Sequence, residues 1–404
     1  MKGGMVHRSK YLIVGGGMTA DAATHGIREV DADGEIVLIG AEPVAPYNRP
    51  PLSKMLWKGE SLRQIWRIPE KAGVELRLGR RIRCIDPARK EATDDQGEIY
   101  AFDRCLLATG GTPRRLPFGQ DSVIYLRTLD DYRRLRVLAD VYERFAVVGG
   151  GFIGSEIAAS LAMNGRQVTL VSRDQLLGER LFPRSLAEHV TATYAEMGVE
   201  VVTGTTATGL DAGDDGLLLT VQSSRGKPTR TIQVDAVVAG IGIRPNVDLA
   251  REAGLAVDDG ILVDRFLRTS HPDIYAAGDA ARFFCPALDR QIRIEHEDNA
   301  NSMGHHAGQA MAGREAPYRY IPFFYSSLFD LDYRIVGELD ARLQMVEDWT
   351  ERYTRGIVYY VGAGTVRGVL LWNVWRLAGA ARDLIAEPGP FKPEDLKGRL
   401  IEPR

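Results

Sequence analysis

The first clear hydrophobic pattern is Tyr11-Leu12-Ile13-Val14, a short apolar run that stops at three consecutive glycines. A run of this length closed by glycine predicts a buried strand. The stretch after it, with Ala20, Ala22 and Ala23, predicts a helix, and the apolar residues of 35–39 predict a second strand. The same order returns downstream: strand 145–148, a glycine turn, a helical stretch 156–163 and a strand 167–171. Two further apolar runs, ending at Ala108-Thr109-Gly110-Gly111 and at Ala239-Gly240-Ile241-Gly242, also close on glycine turns. Ile274-Tyr275-Ala276-Ala277-Gly278-Asp279 predicts a strand that delivers an acid at its end, with a helix from about 299 to 311 beyond it. After Pro322 the texture changes to aromatic-rich strands and an amphipathic stretch, 375–385. Strands alternating with helices predict an α/β fold with a parallel sheet, and the tail predicts a smaller α+β domain.

The turns also carry chemistry. Gly15-Gly16-Gly17-Met18-Thr19-Ala20 reads G-x-G-x-x-A, and Gly149-Gly150-Gly151-Phe152-Ile153-Gly154 reads G-x-G-x-x-G, each between a predicted strand and helix. There the first glycine permits a tight turn, the second lets the backbone approach a pyrophosphate, and the last small residue lets helix pack on strand. The helix N-terminus turns unpaired N–H groups towards the phosphates. Glu42, after the second strand, is placed to accept ribose hydroxyls. One fingerprint alone is weak evidence, but two in one chain predict two dinucleotides in two tandem Rossmann-type domains.

Other motifs narrow the reading. Ala45-Pro46-Tyr47-Asn48-Arg49-Pro50-Pro51-Leu52-Ser53-Lys54, Ala108-Thr109-Gly110-Gly111-Thr112-Pro113-Arg114, Ala277-Gly278-Asp279 and Glu295-His296-Glu297-Asp298-Asn299-Ala300 occur in that order. Together they resemble the two-dinucleotide-binding-domain flavoprotein reductases, in the ferredoxin/rubredoxin reductase and apoptosis-inducing-factor branch. The resemblance implies a glutathione-reductase-like fold: an FAD-binding domain from 1–120 and 246–320, an NAD(P)-binding domain at 121–245 and a C-terminal α+β domain at 321–404. It implies that Arg49 and Lys54 contact the flavin side of FAD, and that Asp279, after Gly278, bonds the ribityl chain or pyrophosphate. Thr109 and Gly110 belong to its FAD motifs and Gly242 to the corresponding turn of the second domain. Glu295 and His296, opening a helix, would lie near the flavin pyrimidine, where a helix N-terminus stabilises developing negative charge. Ile82 and Arg127 match contacts to the adenine half. Lys54 and Glu156 match an ion pair beside flavin N5 and are the catalytic candidates. Phe152 either flanks the nicotinamide or is a core aromatic. Tyr325 stands where relatives often carry a tryptophan, a departure that opens the flavin face.

The end of the second strand in the second unit discriminates NADH from NADPH. Ser172 holds the place of the acid that favours NADH, Arg173 follows, and Arg180 lies within reach. This tilts the reading towards NADPH or dual use, although Asp174 could take the acid's role. Residues 42–54 contain no cysteine, so thiolate chemistry on disulfides or peroxides is not expected. Flavin takes up hydride and can release electrons singly, which suits an iron–sulfur acceptor such as a ferredoxin or rubredoxin. Quinone or oxygen reduction, and a slow NAD(P)H-sensing role of the apoptosis-inducing-factor kind, are the alternatives.

Composition changes this picture little. The 404 residues carry a formal net charge of −3, which argues against a general nucleic-acid binder. The arginines at 77, 80, 81 and 83, and at 133, 134 and 136, form either solvated faces or docking patches for an acidic partner. Cys84, Cys105 and Cys285 have neither metal-ligand nor disulfide spacing, and no metal site is predicted. Adjacent His305 and His306 point apart on a helix and predict no ligand pair. The polar start, without an apolar leader or membrane span, predicts a cytoplasmic location, and the protein is expected to be a monomer or homodimer.

Overall fold

The computed structural model describes residues 6–67, 72–224, 226 and 228–401; the polar start 1–5 lies outside the described residues. The chain divides into two compact units, one drawn from Met1–Arg49, Leu62–Thr112 and Arg244–Pro322, the other from Pro50–Ser61, Pro113–Ile243 and Phe323–Arg404.

In the first unit, strand Val6–Val14 lies between Ile36–Gly40 and Ile99–Leu107, with Val74–Leu78 outside the former, all parallel. Ile274–Ala276 adds to Ile99–Leu107 in parallel, so the acid-bearing turn after it joins the same edge as the first glycine turn. Helices cover such sheets, which is why Leu12, Ile13, Leu38 and Leu106 are buried in near-continuous apolar runs. Helix Met18–Arg28 packs on helix Glu297–Met311 with backbones touching: a Cβ on Gly26 would lie 2.0 Å from the His305 carbonyl, and one on Gly308 2.1 Å from that of Ala23. The later helix begins two residues before the expected 299, because Glu297 and Asp298 favour its positive N-terminus.

The second unit repeats the construction. Val199–Val202, Gln167–Val171, Arg144–Val148, Ala236–Ala239 and Val123–Ile124 form a parallel sheet in that order. Helix Phe152–Met163 is buried on almost every side and starts directly at the glycine turn, four residues before the expected 156. Two antiparallel sheets complete the unit, a three-stranded one over Thr205–Val234 and a five-stranded one over Phe323–Trp372. Within the amphipathic stretch the helix is Ala378–Ala386. Ahead of it, the Arg334 guanidinium stacks 4.1 Å from the Trp375 ring and donates to the Val374 carbonyl. No helix among the described residues is long and apolar enough to cross a membrane.

Candidate active site

The first cradle is built around two glycines with opposite surroundings. Gly15 has φ +137°, and a Cβ there would lie 2.1 Å from the Ala108 carbonyl oxygen. A Cβ on Gly17 would meet only Arg49 Nη2, at 4.0 Å, so space is kept open between that backbone and the guanidinium. An open, N–H-lined turn facing arginine fits a pyrophosphate. Glu42 Oε1 accepts from Arg49 Nη2 at 2.5 Å and Oε2 from the Tyr47 hydroxyl at 2.6 Å. Burial works against the Arg49 charge, but Tyr47, Glu42 and Asp279 outweigh it and raise its pKa. Asp279 reaches the cradle because Gly278, at φ +76°, packs onto Thr19; a Cβ there would lie 2.3 Å from Thr19 Oγ1. Met18 begins the helix, and Thr19 and Ala20 are buried in it. Thr109 Oγ1 donates to the Asn246 carbonyl, and Gly110, with φ +65°, turns the chain beside it. Ile82 is buried at the start of strand Ile82–Asp86.

His296 is the N-cap of helix Glu297–Met311, and Glu295 sits outside the helix, paired with Arg293 at 2.6 Å. Burial pushes the His296 imidazole down to about 4, so it is neutral at physiological pH. The unfolded chain takes up this proton near pH 6.5, before the folded one does. Stability is therefore expected to fall from about pH 6.5 down to about 4 through this group, and no further below that. Melting temperature against pH checks this: the wild type should lose stability over that window relative to His296→Gln.

The second cradle follows the same rule. Gly149 has φ +114° and a Cβ there would lie 2.4 Å from the Gly240 carbonyl, whereas one on Gly151 would meet only that oxygen at 3.9 Å. Gly154 packs the helix against the turn, its Cβ position 1.9 Å from the Gly149 carbonyl. A cavity of about 200 Å³ opens here, bordered by Gly151, Phe152, Asp174, Arg180, Phe182 and Tyr333. Phe152 stands edge-on to Phe324 with ring centres 4.5 Å apart, so it is both a packed aromatic and part of the cavity wall. Ile153 is half exposed beside it. Ser172 is buried, its hydroxyl accepting from the Asp174 N–H. Arg180 Nη2 grips Asp174 at 2.5 Å, and Arg173 extends largely into solvent. Gly242, φ +89°, accepts at its carbonyl from the Arg114 N–H, and the Arg127 N–H donates to Asp131 ahead of helix Leu129–Val141.

Lys54 and Glu156 meet inside the second unit, Nζ to Oε1 at 2.7 Å, with the carboxylate 2% exposed. Two serines that the sequence did not single out complete its shell: Ser53 Oγ donates to Oε2 and Ser326 Oγ to Oε1, both at 2.6 Å. Lys54 Nζ also lies 5.2 Å from the centre of the Tyr325 ring. One helix face holds the segment in place, because Ser160 donates to the Ser53 carbonyl and Asn164 to that of Trp57. Glu156, Ser160 and Asn164 recur every fourth residue, a polar stripe on an otherwise apolar helix that was legible in the sequence. Arg67, also missed, ties Asn48, Asp21 and Asn301 together in the first unit.

Of the cysteines, Cys105 is buried with its thiol pushed well up by burial, Cys285 donates to the Tyr320 carbonyl, and Cys84 is exposed. His305 faces Glu29 while His306 faces the Ala316 carbonyl. Most of the clustered arginines have local partners: Arg77 with Glu75, Arg80 with Asp94, Arg133 with Asp130, and Arg136 over the Trp57 ring.

A chain that builds a glycine-turn cradle on a parallel sheet twice over is made to hold two dinucleotides, and the protein is a flavoprotein oxidoreductase of the two-dinucleotide-binding-domain class. More particularly, it belongs to the pyridine nucleotide-disulphide oxidoreductase family, which matches residues 9–304. It is 33% identical to the ferredoxin–NAD(+) reductase component of the anthranilate 1,2-dioxygenase system of Burkholderia cepacia, over 96% of each chain. It is 32% identical to mitochondrial apoptosis-inducing factor 1 of Dictyostelium discoideum, over 98% of this chain and 80% of that protein. Putidaredoxin reductase, solved in covalent complex with putidaredoxin, superposes with a TM-score of 0.87 at 30% identity, over 96% of this chain and 95% of that one. The protein is an FAD-dependent NAD(P)H oxidoreductase.

Proposed function

We propose that this oxidoreductase carries electrons from NADPH through FAD to a small iron–sulfur protein of the ferredoxin or rubredoxin kind, in the cytoplasm. The observation that carries the reading is the buried Lys54–Glu156 pair, held in a segment without cysteine. A charge pair so deeply buried is costly unless fully bonded, and it suits a reacting centre better than a structural one. With no thiol beside it, electrons leave the flavin directly, and the ferredoxin-linked relatives support that exit.

In this reading residues 1–120 and 246–320 hold FAD, 121–245 hold the nicotinamide nucleotide and 321–404 complete the active site. Arg49, Asp279 and the Gly15 turn bind the FAD phosphates and ribityl chain. Glu42 orients Arg49 while offering its remaining lone pairs to the ribose. Lys54 donates to the flavin, and Arg173 and Arg180 receive the NADPH 2′-phosphate.

Turnover of the FAD-bound protein with NADPH and NADH against ferredoxin, rubredoxin, quinone and oxygen tests the reading. Fast, salt-sensitive reduction of an iron–sulfur protein is expected, because such docking is electrostatically steered. Turnover with quinone alone would overturn the acceptor. A long-lived charge-transfer band with little turnover on any acceptor would instead indicate a sensor.

A further inference from the structure

The carboxylate of Glu156 is served by more donors than an ion pair requires. Lys54 Nζ and Ser326 Oγ both approach Oε1, at 2.7 and 2.6 Å, and Ser53 Oγ approaches Oε2 at 2.6 Å. Ser326 is itself 1% exposed and lies directly opposite Tyr333 in the antiparallel pairing of strands Phe323–Leu328 and Leu331–Gly337. Tyr333 lines the cavity beside the second glycine turn and is fixed there by Trp372, stacked with ring centres 5.4 Å apart, and by Phe182, edge-on at 5.4 Å.

An ionised carboxylate only accepts hydrogen bonds, so the single Ser326 proton points to Glu156. Tyr333 stands directly opposite Ser326 on the paired strand. Glu156 Oε1 thus accepts from both Ser326 and Lys54, and Ser53 donates to Oε2. The other groups facing Glu156 are neutral: Tyr194, whose hydroxyl donates to the Ser155 carbonyl, and Tyr333 are both raised above the ordinary phenol range by burial.

We propose that Ser326 and Ser53 are positioning residues, a pair of buried hydroxyl donors that fix the Glu156 carboxylate and aim its Oε1 at Lys54. Ser326 is the strand partner of Tyr333, so the cavity wall and the donor to Glu156 are held by one pair of strands. Removing Ser326 leaves a buried carboxylate with one donor fewer and lets it hold a proton at higher pH. The inference rests on Lys54 acting at the flavin, as proposed above.

The test uses the FAD-bound protein carrying Ser326→Ala or Ser326→Thr. Glu156 is titrated by infrared difference spectroscopy, assigned by the signal lost in Glu156→Gln, and stopped-flow flavin reduction by NADPH is followed against pH. In Ser326→Ala, the carboxyl signal is expected to titrate at higher pH than in wild type. Flavin reduction below that new step should fall about tenfold, the scale of one hydrogen bond to a charged group. Ser326→Thr, which keeps the hydroxyl, should restore both. A Ser326→Ala protein that titrates like wild type would overturn the proposal. So would equal impairment of the Ala and Thr variants with matching losses of melting temperature, which marks packing alone. Undiminished flavin reduction in Lys54→Ala sinks the reading of the site instead, and does so without altering the Glu156 titration in the serine variants.

Discussion

Lys54→Ala is expected to cut the rate of flavin reduction by about 10²- to 10³-fold, the usual cost of losing a preorganised donor at a reacting centre. It should also destabilise the fold by about 3–5 kcal/mol, because a buried charge is left without its counter-charge. Glu156 is 2% exposed and Lys54 13%, so water offers little relief. The destabilisation belongs to the ionised carboxylate left alone, so it is expected at neutral pH. Lys54→Met combined with Glu156→Gln removes both charges and should recover most of the melting temperature but none of the rate. Thermal melts from pH 4 to 8, beside stopped-flow reduction, separate the two effects. A single variant with wild-type reduction kinetics would falsify the assignment of Lys54.

Arg180→Ala is expected to lower kcat/KM for NADPH by about 10- to 100-fold while leaving NADH within a few fold, consistent with loss of a charge-assisted bond to a phosphate. Arg180 holds Asp174 at 2.5 Å, and both border the cavity beside the second glycine turn. Arg173, 73% exposed on its side chain, should have a smaller effect alone. Ser172 is buried against Gly150 and cannot itself reach for a 2′-phosphate. Ser172→Asp with Arg180→Ala supplies an acid for the ribose hydroxyl and removes a phosphate partner, so preference should invert towards NADH. The ratio of the two kcat/KM values measures this directly. An equal fall for both cofactors would assign Arg180 to the fold rather than to specificity.

The glycine turns were legible because their requirements are local. Gly15 and Gly149 need positive φ and a missing Cβ, conditions that glycine meets most readily, and the flanking apolar runs identify them as strand-to-helix turns. Other features sat at the limit of what pattern can tell. The glycines hide the first turn of helix Phe152–Met163, and the amphipathic run that begins at Trp375 carries no sign that this ring stacks with Arg334. The polar stripe Glu156, Ser160, Asn164 could have announced that something polar packs on that helix, but nothing in the sequence said that it was the segment around Ser53.

By itself the sequence determined the repeated dinucleotide fold, the motifs around Arg49 and Asp279, the Lys54–Glu156 pairing carried by resemblance, and the absence of cysteine from residues 42–54. Those follow from spacing along the chain or from motifs that travel intact. Only the tertiary structure decided that Ser326 and Ser53 share the Glu156 carboxylate, that Tyr333 stands behind Ser326, and that Arg180 binds Asp174. The physical reason is the reach of the interactions: backbone geometry is set by neighbours a few residues away, whereas Ser53, Glu156 and Ser326 meet only after three distant segments have packed.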